Sequence, residues 1–536
     1  MHYFKKNFLK IFFLSILSLI LISASTLQAK YFHWSAILDQ DIMIIYNSLL
    51  ISSGIEQEYR DHPAYITFFI YGVLIKFFSF FNFGPVSNIN DLINSSNPNE
   101  VLQKLFLFCR NINVIINILL VFFLYKSLRK LRCDKINSIL CCCILIVSGW
   151  YTESTFVLRN ENLSIIFFLI SFIFLIKFLE NKNNFSIIIG GFFFGVAMLT
   201  KIQIIFLFTF FLFIYFIEIN NKIYEEKIIK LTKKNDLILF IFYILFLISY
   251  IILQFKLQTY ERFEKVKYLD LVLFLLFNSF LILIGLIKNR FNFYKARIGI
   301  IILSLFFLGF LFSIFFSILL DLIGFIELNY FILLRITNPF HYMVEFHMDD
   351  HVKLYENLNI GFTYFYNVFQ IALNKFDYNI LKILILFFLL ILSIRLDYKN
   401  YHDTFRKKFL IKSLLFTSII LIIFIMNLRS FLYYYETLVL VPYILSLAFF
   451  SKNFTKQSKI IVNLFLILYF AFCNFSLQEK RKYPFTYYFS SQTSMHLICD
   501  PDKIFYQDNS YKFFLQYYQS RFNDEFIIRL CNNNKS

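Results

Sequence analysis

Carboxylates, a histidine and an arginine crowd one short stretch beginning at His33, HWSAILDQDIMIIYNSLLISSGIEQEYRDHPAYITFF. Within it lie Asp39, Asp41, Glu56, Glu58, Arg60, Asp61 and His62. A carboxylate in such a place can take the proton of an attacking hydroxyl or amine as a general base, or hold a cation beside a phosphate. The same residues also have a purely structural reading. After Asp41, the residues Ile42, Ile45, Tyr46, Leu49 and Leu50 recur at helical spacing. They predict a helix of about three turns that rests one apolar stripe on a membrane, with Gly54 as its stop. Asp39 or Asp41 then stands where an N-cap belongs.

The elements that must position these residues are membrane helices. The chain has 536 residues, of which 59% are hydrophobic and 16% charged. Soluble domains run about 45–50% apolar and about 25% charged. The excess recurs as runs near the about 20 residues needed to cross a bilayer. The runs do not alternate, which sets aside a β-barrel. The expected fold is an all-α polytopic membrane protein. Candidate spans are 8–29, 105–125, 136–151, 162–179, 185–200, 202–219, 237–255, 269–287, 298–323, 379–396, 413–428, 438–451 and 459–477, thirteen in all. The basic loops starting at Lys126, Asn221, Lys288, Arg395 and Lys452 then all face the cytoplasm, as the positive-inside rule asks. Lys5, Lys6 and Lys10 put the N-terminus there too, ahead of a first apolar segment read as an uncleaved span. The net charge of +18 is thereby assigned to cytoplasmic loops, not to nucleic-acid binding.

One apolar stretch, from Ala64 to Phe83, would flip the parity of every later loop if it crossed. It is therefore expected to lie in or dip into the outer interface, with Lys76 at its polar edge. The competing reading is a true span with one helix miscounted later. Three segments face outward: about 30–104, about 324–378, and a tail from about 478 to 536. Residues 1–477 form the membrane domain and 478–536 a periplasmic tail. Cys499 and Cys531 in the tail can pair in an oxidising compartment or stay as two thiols.

Asp39-Gln40-Asp41 just after the first span, an amphipathic helix, and His62-Pro63 later in the same loop resemble glycosyltransferases of the GT-C fold. These include the protein O-mannosyltransferases and the lipid A aminoarabinose transferases. Those families carry paired acidic residues in the first outer loop and a His-Pro-Pro or Lys-Pro-Pro motif further on; here Ala64 replaces the second proline. FVLRNENLSIIFFLISFIF resembles the family's outer turn, with Arg159 and Glu161 as the basic and acidic residues. GGFFFGVAMLTKIQIIFLF resembles its glycine-rich helix ending in Leu-Thr-Lys, with Gly191, Gly195 and Lys201. Arg429, Tyr435 and Pro442 match a late Arg/Tyr-then-Pro pattern. The threading independently puts Arg159, Glu161 and Lys201 at the outer boundary, on the side of Asp39 and His62. Cations at a membrane edge attract lipid phosphates. The structural alternatives are a snorkelling lysine at 201 and a local Arg159–Glu161 ion pair ending two helices.

The resemblance implies a polyprenyl-phosphate-linked sugar donor, its lipid in the bilayer and its sugar in an outer cavity. A lipid, glycan or protein would be the acceptor, and membrane lipids the surroundings. In this picture Asp39, or as second choice Asp41, takes the acceptor's proton. Lys201, Arg159 and His62 stabilise the leaving phosphate, with Glu161 and Arg429 as further substrate-binding candidates. Family members of this type generally invert the anomeric centre. The setting implied is a bacterial inner membrane with its active site toward the periplasm. The segment NPFHYMVEFHMDDHVKLYE places His347 and His351 four apart, a spacing that can hold a metal on a helix; a solvated loop is the default, so no metal site is assigned and a divalent cation stays an open cofactor. No P-loop, GxGxxG or foldable cytoplasmic domain occurs, which argues against a nucleotide-sugar or ATP-driven enzyme. Two rivals remain. A transporter or flippase of lipid-linked sugars would place ionisable residues near the bilayer midplane. An O-antigen-type polymerase or ligase would use the long outer segment 324–378.

Overall fold

The computed structural model describes residues 41–55, 57–58, 64–148, 151, 154–155, 157–181, 183–208, 293–322, 377–400, 411–420, 422, 436–480 and 529–530, with isolated positions between 238 and 275. Among them every regular element is helical and no strand occurs. The helices are α1 Met43–Ser52, α2 Tyr65–Phe80, α3 Ile89–Ile93, α4 Pro98–Lys130, α5 Lys135–Val147, α6 Asn160–Asn181, α7 Asn184–Thr200, α8 Phe293–Leu322, α9 Asp377–Asn400, α10 Ile411–Ile420, α11 Glu436–Phe450 and α12 Lys456–Lys480. A 3₁₀ segment, Ile202–Leu207, follows α7. Within the described residues, Pro98–Lys130, Asn160–Asn181 and Ile301–Leu322 are long and apolar enough to cross a membrane. The chain is a membrane protein of apolar helices.

Local signals set the boundaries. Pro98 occupies the first turn of α4, where its missing N–H costs nothing, and Asn97 Oδ1 accepts the N–H of Glu100 at 3.3 Å. Arg129 and Lys130 close the same helix at its negative end. Asp134 caps α5 by accepting the N–H of Asn137 at 2.9 Å, and Asn183 caps α7 by accepting that of Phe185 at 3.0 Å.

α7 lies between α6 and α8 and also touches α2. Small residues permit the close approach. A Cβ added at Gly191 would stand 2.0 Å from the carbonyl oxygen of Phe306 on α8, and one at Gly195 would stand 1.9 Å from Ser313 Oγ. Such small-residue seams are a common way for membrane helices to pack, because lipid gives no hydrophobic drive for helix association. Ser171 Oγ of α6 donates to the Gly190 carbonyl at 2.6 Å and ties the α6–α7 hairpin. On the other side α4 packs on α5 and α6, and α11 and α12 pack on α5. Asn463 of α12 donates to Asn137 Oδ1 of α5 inside that contact. Lys412 of α10 pairs with Asp397 of α9 in a buried bond of 2.5 Å.

The first outer loop differs from its sequence reading in one respect. The helix starts and stops as expected, and Gly54 beyond it has φ +72°. It does not rest an apolar stripe on a surface, however. All ten residues of α1 are buried, including Asn47 and Ser48. Their side chains satisfy themselves on the preceding turn: Asn47 Nδ2 donates to Met43 O at 2.8 Å and Ser48 Oγ to Ile44 O at 2.6 Å. α2 covers the face that sequence spacing leaves outside, and a Cβ at Gly72 would meet the Ser48 carbonyl at 2.7 Å. α2 itself is two-faced. Tyr65, Phe68, Tyr71 and Ile75 are buried, while Lys76, Phe77 and Phe80 are exposed. Tyr65 donates to the Ser317 carbonyl near the end of α8 at 3.2 Å. Further along the loop, Ile93 O and Ser95 O accept from Arg529 at 2.6 and 3.0 Å, so this tail residue lies against the first loop.

Candidate active site

The start of α6, the end of α7 and the residue that opens α1 meet at one end of the bundle, and their charges form two linked groups. The first is a buried ion pair. Asp41 is 0% and Arg110 1% exposed. Arg110 Nε and Nη2 donate to Asp41 Oδ2 at 3.0 and 2.9 Å. The other oxygen, Oδ1, accepts the backbone N–H of Leu158 at 2.7 Å. Asp41 therefore is not a helix cap. The residue before α1 is Ile42, which makes no side-chain cap, and the Asp41 carboxylate reaches across to α4 and to the turn before α6. Burial pushes its carboxyl above the ordinary range; the guanidinium of Arg110, the Leu158 N–H and the charge of Arg159 pull it back only in part.

The second group is a carboxylate between two cations. Lys201 Nζ lies 2.9 Å from Glu161 Oε1, and Arg159 Nε lies 3.6 Å from Glu161 Oε2. All three residues are buried. Lys201 is thus no snorkelling side chain, and Arg159 and Glu161 are more than a local pair. The backbone explains the position of Lys201. The helix ends there: Lys201 is extended, at φ −155° and ψ 112°, and donates its N–H to Ala197 O at 2.9 Å before the chain tightens into the 3₁₀ segment. A 3₁₀ stretch interrupting helical chain often marks a functional break. The charges also suit the helix ends. Glu161 sits in the first turn of α6, where the dipole favours an anion, and Lys201 just past the end of α7, where it favours a cation.

A ladder of amides on α4 holds the turn that links the two groups. Arg110, Asn113 and Asn117 fall on one face of the helix, three and four residues apart. Asn113 Nδ2 lies within hydrogen-bonding reach of the carbonyls of Ser154, Thr155 and Val157, at 2.8, 3.1 and 2.9 Å. Asn117 Nδ2 donates to Ser154 O at 3.1 Å, and its own Oδ1 accepts from Asn162 Nδ2 at 2.9 Å. Tyr151 donates to Asn117 O at 2.8 Å. These bonds fix the strand of chain that offers Leu158 N–H to Asp41 and Arg159 to Glu161.

Not every polar group in this end is paired. Asn160 is fully buried, and among the described residues neither its Oδ1 nor its Nδ2 has a hydrogen-bond partner. Among the same residues Glu161 Oε2, Asn162 Oδ1 and Gln203 Oε1 are also buried without one, Glu161 Oε2 keeping only its 3.6 Å ion pair with Arg159. A buried unmet donor or acceptor costs about 1–3 kcal/mol, so five such atoms beside one charged network are unusual for purely structural side chains.

Of the residues singled out in the sequence, Asp41, Arg159, Glu161 and Lys201 come together here. Asp39, His62 and Arg429 lie outside the described residues, as do His347, His351, Cys499 and Cys531. Pro442 sits inside α11. Arg110 and the asparagine ladder were not among the sequence candidates, although Arg110, Asn113 and Asn117 at helical spacing inside an apolar span are a polar stripe that periodicity alone exposes.

The arrangement agrees with what the chain resembles. Residues 55–262 match the dolichyl-phosphate-mannose-protein mannosyltransferase family, a family of GT-C type membrane glycosyltransferases. The matched segment contains Arg110, Arg159, Glu161 and Lys201 and ends before α8. The resemblance read from short motifs in the first half of the chain is thereby a finding over that segment. No curated protein and no solved structure matches the chain.

Proposed function

We propose that the protein transfers a sugar from a polyprenyl-phosphate-linked donor to a protein, glycan or lipid acceptor, on the outer face of a bacterial inner membrane. The observation that carries this reading is the buried Arg159–Glu161–Lys201 group at a break between helices, inside the segment that resembles the mannosyltransferases. Together with the Asp41–Arg110 pair it holds three cations and two carboxylates among the described residues. A sugar phosphodiester adds one negative charge, which suits that balance. Burial keeps the field of these cations strong, because little water screens them.

The reaction forms one bond and breaks one. The acceptor's oxygen or nitrogen bonds to the anomeric carbon, and the bond from that carbon to the phosphate oxygen breaks. The polyprenyl phosphate leaves with the electron pair, and inversion at carbon follows from attack opposite the leaving group. Lys201 and Arg159, with His62 and Arg429 as further substrate-binding groups, stabilise the charge that gathers on the phosphate. The acceptor's proton passes to a carboxylate. Asp39 is the proposed base. Asp41, proposed as the alternative, already accepts on both oxygens and acts in this scheme by holding the first loop against α4 and the turn before α6. Thirteen spans, with the first loop, residues 324–378 and the tail outside, complete the proposed arrangement; the Arg529 contact to Ile93 and Ser95 supports a common side for loop and tail.

Lys201→Ala tests the phosphate role against Lys76→Ala, which removes an exposed lysine of α2. In a donor-consumption assay Lys201→Ala is expected to raise the donor KM or lower turnover by roughly 10²-fold, within the range of a lost transition-state contact. Lys76→Ala should be near wild type. Equal, small effects would remove Lys201 from the site.

A further inference from the structure

The unmet polar atoms around the charged network have a definite chemical character. Among the described residues four are acceptors, Asn160 Oδ1, Glu161 Oε2, Asn162 Oδ1 and Gln203 Oε1, and one is a donor, Asn160 Nδ2. They flank the Glu161–Lys201 contact from both chain directions: Asn160 precedes Glu161 at the start of α6, and Gln203 follows Lys201 in the 3₁₀ segment that packs against α6. A phosphate offers only acceptors and can satisfy only the Asn160 amide N–H groups. The four unmet acceptors need O–H or N–H donors. A vicinal diol supplies donor and acceptor together, which is the pattern an orphaned primary amide lacks.

Resting on the transferase reading above, we infer that Asn160 and Gln203 bind hydroxyls of the transferred sugar, with Glu161 Oε2 accepting a third. The cationic side of the network then meets the phosphate, and the amides beside it read the ring. Asn160 and Gln203 are specificity-determining residues in this account. Sites built to hydrogen-bond a hydroxyl reject analogues lacking it, because the buried groups are otherwise left unmet. The same argument separates this role from a structural one. A side chain kept for the fold should destabilise the protein when replaced. A side chain whose polar atoms are unmet in the empty protein should not, since an apolar group of similar shape removes an orphan.

The test uses the full chain in detergent or nanodiscs, with Asn160→Leu and Gln203→Met made separately. The probes are a short-chain polyprenyl mannosyl phosphodiester and the methyl phosphodiester of the same lipid, equal in charge. Wild type is expected to bind the mannosyl lipid more tightly. Each variant should bind the methyl diester as wild type does, bind the mannosyl lipid about 3–10-fold more weakly, the size of one lost neutral hydrogen bond, and melt at the same or a higher temperature. A lower melting temperature, or failure to fold, would make the residue structural and overturn the inference. So would unchanged preference for the mannosyl lipid in both variants, or equal weakening toward both lipids. If wild type binds neither lipid, the transferase reading itself fails and takes this inference with it.

Discussion

At the residue scale, Asp41 shows what spacing along the chain does not reveal. Its position before an apolar helical repeat suggested a cap, and caps are common there. Its partner, Arg110, lies 69 residues away and cannot be found by spacing. An arginine and two asparagines inside an apolar span face protein and not lipid, a signal present in the spacing but not taken up among the sequence candidates. Glu161 and Lys201, 40 apart in sequence, were both singled out, but only folding the α6–α7 hairpin reveals that they touch. The account makes a prediction at this scale. Arg110→Leu leaves a buried carboxylate without its cation and should cost about 3–5 kcal/mol, as breaking a buried pair does. The double change Asp41→Asn with Arg110→Leu should recover part of that loss. Thermal unfolding in detergent measures both. If Arg110→Leu melts like wild type, the pair does not hold the first loop.

At the scale of elements, hydropathy located several of the described helices, because those apolar runs each fill one. The expected spans 162–179, 185–200 and 298–323 fall on α6, α7 and α8, within a few residues except at the α8 start. The stretch from Ala64 became α2, a 16-residue helix. At about 1.5 Å per residue it is shorter than the hydrocarbon core is thick, as α5 and α7 are. The burial of α1 on all sides was not legible, since periodicity cannot say that a second helix will cover the polar face. Nor does the Gly191–Gly195 spacing name its partner helix. That seam gives the element-scale prediction. Gly191→Leu drives a side chain into the Phe306 carbonyl, and the backbone there has no room to yield. It should cost about 1–3 kcal/mol or more, as overpacking does. Because α7 delivers Lys201, donor use should fall with it. A variant as stable and active as wild type would contradict the described α7–α8 packing.

At the scale of the whole molecule, sidedness governs what the site can reach. Ser96, exposed just before α4, belongs to the proposed outer loop; Lys135, exposed at the start of α5, belongs to the proposed inner side. In whole cells, Ser96→Cys should react with a membrane-impermeant thiol reagent and Lys135→Cys should not. The reverse pattern would turn the active-site end toward the cytoplasm. Cys109, Cys133, Cys141 and Cys142 are buried and Cys143 is partly buried; Cys499 and Cys531 belong to the proposed outer tail, so both variants are made with these two replaced by Ser. The central claim is that the loop opening on Asp39 supplies the base for sugar transfer, and one measurement tests it most directly. Turnover of a polyprenyl mannosyl phosphate donor is compared between wild type and Asp39→Asn, with correct folding checked by thermal unfolding. Asn caps a helix as well as Asp does, so a capping role would survive the change. The account predicts an unchanged melting temperature and turnover lower by roughly 10²–10⁴-fold, the usual contribution of a general base. Near-normal turnover in Asp39→Asn would contradict it.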